Sequence, residues 1–128
     1  MKNVFDSSGW IEYFANGPNA DRFASVVVDA STLLVPSIVL HEVYRWADRE
    51  GGELAANRAV AAMRAGLVVA LDADLAITAA RLARRHRLPT ADSIIYATAL
   101  THGATVWTQD DDFADLGDVR YFAKLKPT

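Results

Sequence analysis

Short uninterrupted apolar runs alternate along this chain with longer stretches of helical period. Val4-Phe5 stops at Asp6, Ser7-Ser8 turns the chain, and apolar residues at Trp10, Ile11 and Phe14 begin an amphipathic helix. A turn at Gly17-Pro18-Asn19 leads to a second short helix over residues 21–29, with Phe23, Val26 and Val27 inward. Leu33-Leu34-Val35 reads as a fully buried parallel strand closed by Pro36. From Ser37 a helix runs to about Glu50 with Val39, Leu40, Val43 and Ala47 on its inner face, and Gly51-Gly52 ends it. Residues 53–65 form an alanine-rich helix stopped at Gly66, and residues 67–71 read as another buried strand. Leu75, Ala76, Ala79, Leu82 and Ala83 repeat with helical period over residues 72–86. After Leu88-Pro89, Thr90 caps a helix over residues 91–101, closed by His102-Gly103. Thr105-Val106-Trp107 and residues 119–122 complete the strands. Strands separated by helices rather than hairpins imply parallel pairing and right-handed crossovers. The fold class is therefore α/β, a three-layer sandwich with a mostly parallel central sheet.

A chain of 128 residues fits one domain spanning 1–128, able to bury about two thirds of its unfolded surface. The absence of cysteine excludes disulfides, thiolate metal sites and cysteine nucleophiles. The first residues lack the apolar core of a signal peptide. The longest apolar region, residues 26–40, is interrupted by Asp29, Ser31, Thr32 and Pro36, so neither export nor membrane spanning is expected and the cytoplasm is the expected compartment.

The acids change the picture most. Asp6 follows the first strand and Asp110 follows Val106-Trp107-Thr108, so both fall at the carboxyl edge of a parallel sheet, where α/β folds bind ligands. Asp92 lies in the first turn of its helix, where the dipole favours a carboxylate, and Glu42 lies early in the helix after the second strand. Each alone has an ordinary reading as a helix cap, a dipole-favoured residue or a solvated face; their convergence on one crevice gives them weight. The net charge of −3 disfavours a general nucleic-acid coat protein, yet setting these four carboxylates aside leaves the remainder at +1.

Four segments together resemble a known family. Asp6-Ser7-Ser8-Gly9-Trp10, Glu42 in the helix after Val35-Pro36-Ser37, the run from Pro89 to Ala99 containing Asp92, and Thr108-Gln109-Asp110-Asp111-Asp112-Phe113 are similar, in order and spacing, to PIN-domain nucleases, specifically the VapC-type toxins of toxin-antitoxin pairs. The resemblance implies Asp6, Glu42, Asp92 and Asp110 as a catalytic and metal-holding quartet, Asp112 as an accessory acid, and Thr108 with Ser7 or Ser8 as supporting hydroxyls. It further implies an RNA substrate, a cognate antitoxin and a homodimer. The middle acid of Asp110-Asp111-Asp112 departs from the family's frequent neutral or basic residue.

The chemistry of the residues agrees. Clustered carboxylates repel one another until a proton or cation relieves them, and an all-oxygen donor set selects Mg²⁺ or Mn²⁺ over zinc. The expected reaction is hydrolysis of RNA to 5'-phosphate and 3'-hydroxyl ends. His41, His86 and His102 offer a rival acid-base mechanism, but the last two stand at helix ends. Arg81, Arg84, Arg85 and Arg87 form the one dense basic segment, with Arg84 and Arg85 the candidates for tracking RNA phosphates. Trp46 shares a helical flank with Glu42 and Arg45 and suits the core or a dimer contact better than base stacking. Trp10, Tyr13, Phe14, Phe23 and Val26 suggest an apolar groove for a partner. A receiver-like phosphoacceptor and an inactive interaction module are the alternatives from other classes.

Overall fold

The computed structural model describes residues 1–126. Strand β1 (Lys2–Phe5) leads into α1 (Ser7–Phe14) and α2 (Ala20–Val27), then β2 (Leu33–Pro36) and the helical segment α3 (Ser37–Met63). There follow β3 (Leu67–Val69), α4 (Ala73–His86), α5 (Thr90–Thr101), β4 (Ala104–Thr108) and β5 (Val119–Tyr121). The strands form one sheet in the order β3-β2-β1-β4-β5, and every neighbouring pair is parallel. In register, Phe5 faces Trp107 and Val4 faces Leu34, so the ends of β1 and β4 finish side by side.

All four residues of β2 and three of four in β1 are buried, because helices cover both faces of the sheet. On one side α1 packs against α2 and α3; α4 packs against α5, which lies on β4, β1 and β2. From Ser93 to Ala99 every residue of α5 is buried, which explains why that stretch carries no charge on any side rather than an amphipathic pattern. Asn3 is the polar exception within the central strand. It accepts from Trp107 Nε1 at 2.8 Å and donates to Thr32 Oγ1 at 3.3 Å, so its buried carboxamide is paired on both sides.

Several sequence expectations need adjustment. The double glycine does break the helix, since Gly52 sits at φ +85° inside α3, a conformation open to glycine. By contrast β3 is not a buried strand: it ends at Val69, and Leu67 is 61% exposed, because an edge strand has a neighbour on one side alone. Pro89 rather than Thr90 occupies the cap position of α5, and no side chain caps it. Trp10 and Phe23 do not line a groove; both are buried, clustered with Phe5 at ring separations of 5.1 Å.

The join between α3 and β3 is tight. A Cβ on Gly66 would stand 2.9 Å from the Leu33 carbonyl oxygen and 3.2 Å from Leu33 Cβ, so backbone would have to move. Gly66→Ala should therefore lower stability by about 1–3 kcal/mol. Gly117→Ala meets nothing within 4 Å and should change it little. Denaturant titration of both variants checks this; equal midpoints would contradict the packing at Gly66.

Candidate metal centre

Chain connectivity delivers the acids to one edge. β1 and β4 run parallel and end together, so Asp6 and Asp110 leave the sheet on the same side. The short link from the end of α5 at Thr101 to Ala104 fixes that helix's last turn at the opposite edge, and its first turn, with Asp92, accordingly returns to the carboxyl edge. Asp110 then caps a single 3-10 turn, Asp111–Phe113, by accepting from the Asp112 backbone N–H at 2.9 Å. That turn carries Asp112 into the group. Carboxylate oxygens of Asp92, Asp110 and Asp112 all lie within 4.8 Å of one another.

Asp6 lies beneath them and is only 2% exposed. It caps α1 by accepting from Gly9 N at 3.0 Å on Oδ1. The Ser8 hydroxyl donates to the same oxygen at 2.7 Å, and the Thr108 hydroxyl donates to Oδ2 at 2.6 Å. Each hydroxyl then accepts a backbone proton: Thr108 Oγ1 from Asp110 N at 2.8 Å, and Ser8 Oγ from Gln109 N at 3.0 Å. Two side-chain hydroxyls thus lock the first acid to the loop that bears the others. Of the two serines, Ser8 is the one bonded to Asp6, while Ser7 stands beside Glu42.

Electrostatics follow from this crowding. Burial pushes the Asp6 carboxyl up to about 6, against the pull of its three donors, with the charge of Asp110 adding to the rise. Asp92 is pushed up to about 8, first by burial and then by the negative charge of Asp110, with Asp112 and Asp6 contributing. Glu42 is also raised, by burial, while the Ser7 hydroxyl and His41 act in the opposite sense. Its Oε1 is buried without a hydrogen-bond partner, an acceptor left unused. Three oxygens of one charge at this spacing, and no nitrogen or sulfur among them, are a donor set that fits a hard divalent cation.

The sequence-predicted residues thus divide. Asp92 and Asp110 are brought together with Asp112, the accessory acid of the sequence reading. Asp6 joins through Thr108 and Ser8, and Glu42 borders the site through Ser7. Arg84 and Arg85 are exposed in the last turn of α4, which Arg87 closes in the left-handed conformation at φ +55° before the chain enters α5 and Asp92. Two residues have no role in the sequence reading beyond a turn position and a place in a motif, Asn19 and Gln109. Both are buried and are bonded to each other at 2.7 Å. The signal that could have found Gln109 is its place between Thr108 and Asp110.

Without a bound cation, the raised carboxyl groups set a pH dependence of stability. In the unfolded chain they ionise near their ordinary 3.8; folded, Asp6 and Asp92 hold protons up to about 6 and about 8. Their stabilising contribution is full below the lower value and is lost as pH rises through the upper ones, on the order of 3 kcal/mol for Asp6. In chelator, the melting temperature should fall across this window, and Asp92→Asn should raise it at the alkaline end. Thermal denaturation against pH checks this; a melting temperature that climbs with pH, or a variant less stable than its parent there, would contradict it.

Comparison with known proteins comes to the same frame. The PIN domain family matches residues 4–119. No curated protein sequence matches the chain. Among solved structures, a toxin-antitoxin complex from Klebsiella pneumoniae is similar at TM-score 0.83 and 22% identity, over 97% of this chain and 100% of that one. The sarcin-ricin-loop-cleaving toxin VapC20 of Mycobacterium tuberculosis is similar at TM-score 0.72 and 23% identity, over 98% and 100%. DNA-bound VapBC from Salmonella typhimurium gives TM-score 0.70 at 20% identity, over 96% and 98%. These are likenesses of fold. With the matched segment running from β1 into β5, across every element that carries an acid of the site, the chain belongs to the PIN-domain family.

Proposed function

We propose that this protein is a Mg²⁺- or Mn²⁺-dependent endoribonuclease of the VapC toxin kind, restrained by a cognate antitoxin in the cytoplasm. The observation that carries the reading is the convergence of carboxylate oxygens of Asp92, Asp110 and Asp112 within 4.8 Å, where burial and then the charge of Asp110 push Asp92 up to about 8. Those three would hold the ion. When bound, a divalent ion supplies an activated water and positive charge opposite the phosphodiester. Asp6 keeps Thr108 and the Asp110 loop in register, and Glu42 Oε1 offers an unused acceptor at the border of the site. The family membership sets aside the receiver-like alternative.

Partner binding has its own support. A groove of about 370 Å³ between α1 and the two arms of α3 is lined by Phe14, Trp46, Ala47, Gly51, Ala55 and Ala59 among others. Apolar walls with Glu50 and Arg58 at the rim suit an amphipathic antitoxin segment. Toxin-antitoxin complexes among the fold's neighbours favour that occupant over base stacking at Trp46. A homodimer is part of the same proposal.

Purified protein should cut single-stranded RNA with Mg²⁺ or Mn²⁺, leaving 5'-phosphate and 3'-hydroxyl ends, and stop in excess chelator. Asp92→Asn and Asp110→Asn should lower the rate by on the order of a hundredfold or more. Thr108→Val, which touches only the positioning bonds, should cost about ten- to a hundredfold. Cleavage that persists in chelator, or 2',3'-cyclic phosphate ends, would overturn the mechanism.

Reversing charge at Arg84 and Arg85 should raise KM and reduce the salt dependence of RNA binding by about one unit of slope for each phosphate these side chains neutralise. Unchanged KM and slope would remove those two residues from the RNA path.

A further inference from the structure

Beside the acidic group lies a cavity of about 360 Å³ lined by Ser8, Gln109, Asp110, Asp111, Tyr121 and Lys124. A second cavity, of about 580 Å³, shares Ser8, Gln109 and Lys124 with the first and extends along α1 towards Pro18 and Leu125. Lys124 therefore stands on the wall between them. Among the described residues it is the sole positive charge lining either space. Among the described residues the one ion pair joins Arg49 and Glu50, so the Lys124 ammonium is not committed to a carboxylate there.

The segment that carries Lys124 follows the last strand and looks in sequence like a tail, yet it is tied to the site. Phe122 N donates to Thr108 O at 2.9 Å. Asn19, 2% exposed, places one carboxamide N–H on Gln109 Oε1 at 2.7 Å and the other on Ala123 O at 3.0 Å. Its own backbone N–H donates to Glu12 Oε2 at 2.7 Å, which anchors the turn before α2. Burying a carboxamide is unfavourable unless its protons are used, and here both are used to join the residue before Asp110 to the residue before Lys124. A carboxylate-rich cleft repels the phosphates flanking the reacting one, and a cation fixed at its mouth offsets that repulsion.

We infer that Lys124, set in place by the buried Asn19, holds a phosphate of the substrate strand next to the one at the acidic group. The inference rests on the ribonuclease reading above. Lys124 is the phosphate-contacting residue, and Asn19 is a positioning residue that acts through it.

The test is the affinity of a fluorescein-labelled single-stranded RNA, read by anisotropy in Asp92→Asn protein so that the strand stays intact, across a series of salt concentrations. Lys124→Gln should weaken binding about three- to tenfold and lower the slope of log affinity on log salt by about one; Lys124→Arg should restore both. Lys126→Gln, outside both cavities, should match the parent. Asn19→Ala should weaken binding with the same loss of slope, and add nothing once Lys124 is already Gln. Parental affinity in Lys124→Gln, or weaker binding at unchanged slope, would overturn the phosphate role. Additive losses would overturn the positioning role of Asn19. If the native protein cuts no RNA while the Lys124 effects hold, the nuclease reading falls and the phosphate site stands; if it cuts RNA and Lys124→Gln binds like its parent, the reverse is true.

Discussion

Negative charge gathered at the carboxyl edge of a parallel sheet is the constraint around which this molecule is built. Carboxylate oxygens of Asp92, Asp110 and Asp112 lie within 4.8 Å of one another, with Asp6 buried below them. A group of that kind opposes its own assembly, because each ionised member raises the proton affinity of the others. The fold holds it together with rigid, well-packed elements: two neighbouring strands, the first turn of a helix buried from Ser93 to Ala99, and a 3-10 turn. Without a cation, proton uptake relieves the repulsion, on Asp92 up to a pH of about 8, and a hard cation would take the place of that proton.

The hydroxyls of Ser8 and Thr108 make this arrangement definite. Each gives its single proton to Asp6 and accepts a backbone N–H from the loop after β4. The consequence is that Asp6 orients the strand end that bears Asp110, in addition to contributing charge. Asn19 extends the same logic outward, joining that loop to the segment beyond β5. The loop that bears the acidic group and the segment that carries Lys124 are thus joined in one hydrogen-bonded frame.

Much of the fold is legible in the sequence because the decisive signals are local. Val4-Phe5-Asp6 and Trp107-Thr108-Gln109-Asp110 announce strand ends, and Gly51-Gly52 announces the bend in α3. What escapes depends on distance through space. The Asn19–Gln109 pair spans 90 positions, and nothing in Gly17-Pro18-Asn19 separates a structural carboxamide from an ordinary turn residue. Leu67 and Val68 have the composition of a buried strand, and only the strand order places them at an edge. Trp10 and Phe23 have the character of partner-binding surface in the sequence, and Phe5, packed against both rings, makes them core. Asp112 carries less weight in the sequence than in the fold, because its part depends on the 3-10 turn that Asp110 caps, a feature of backbone geometry rather than of residue type.

If the three carboxylates act as a single ligand set, a hard cation must sit among them. Anomalous diffraction at the manganese edge from crystals soaked in Mn²⁺ addresses that directly. The expected result is a peak bounded by oxygens of Asp92, Asp110 and Asp112. Strong manganese peaks confined to other surface carboxylates, with none at this group under saturating metal and at a pH above the Asp92 transition, would contradict it.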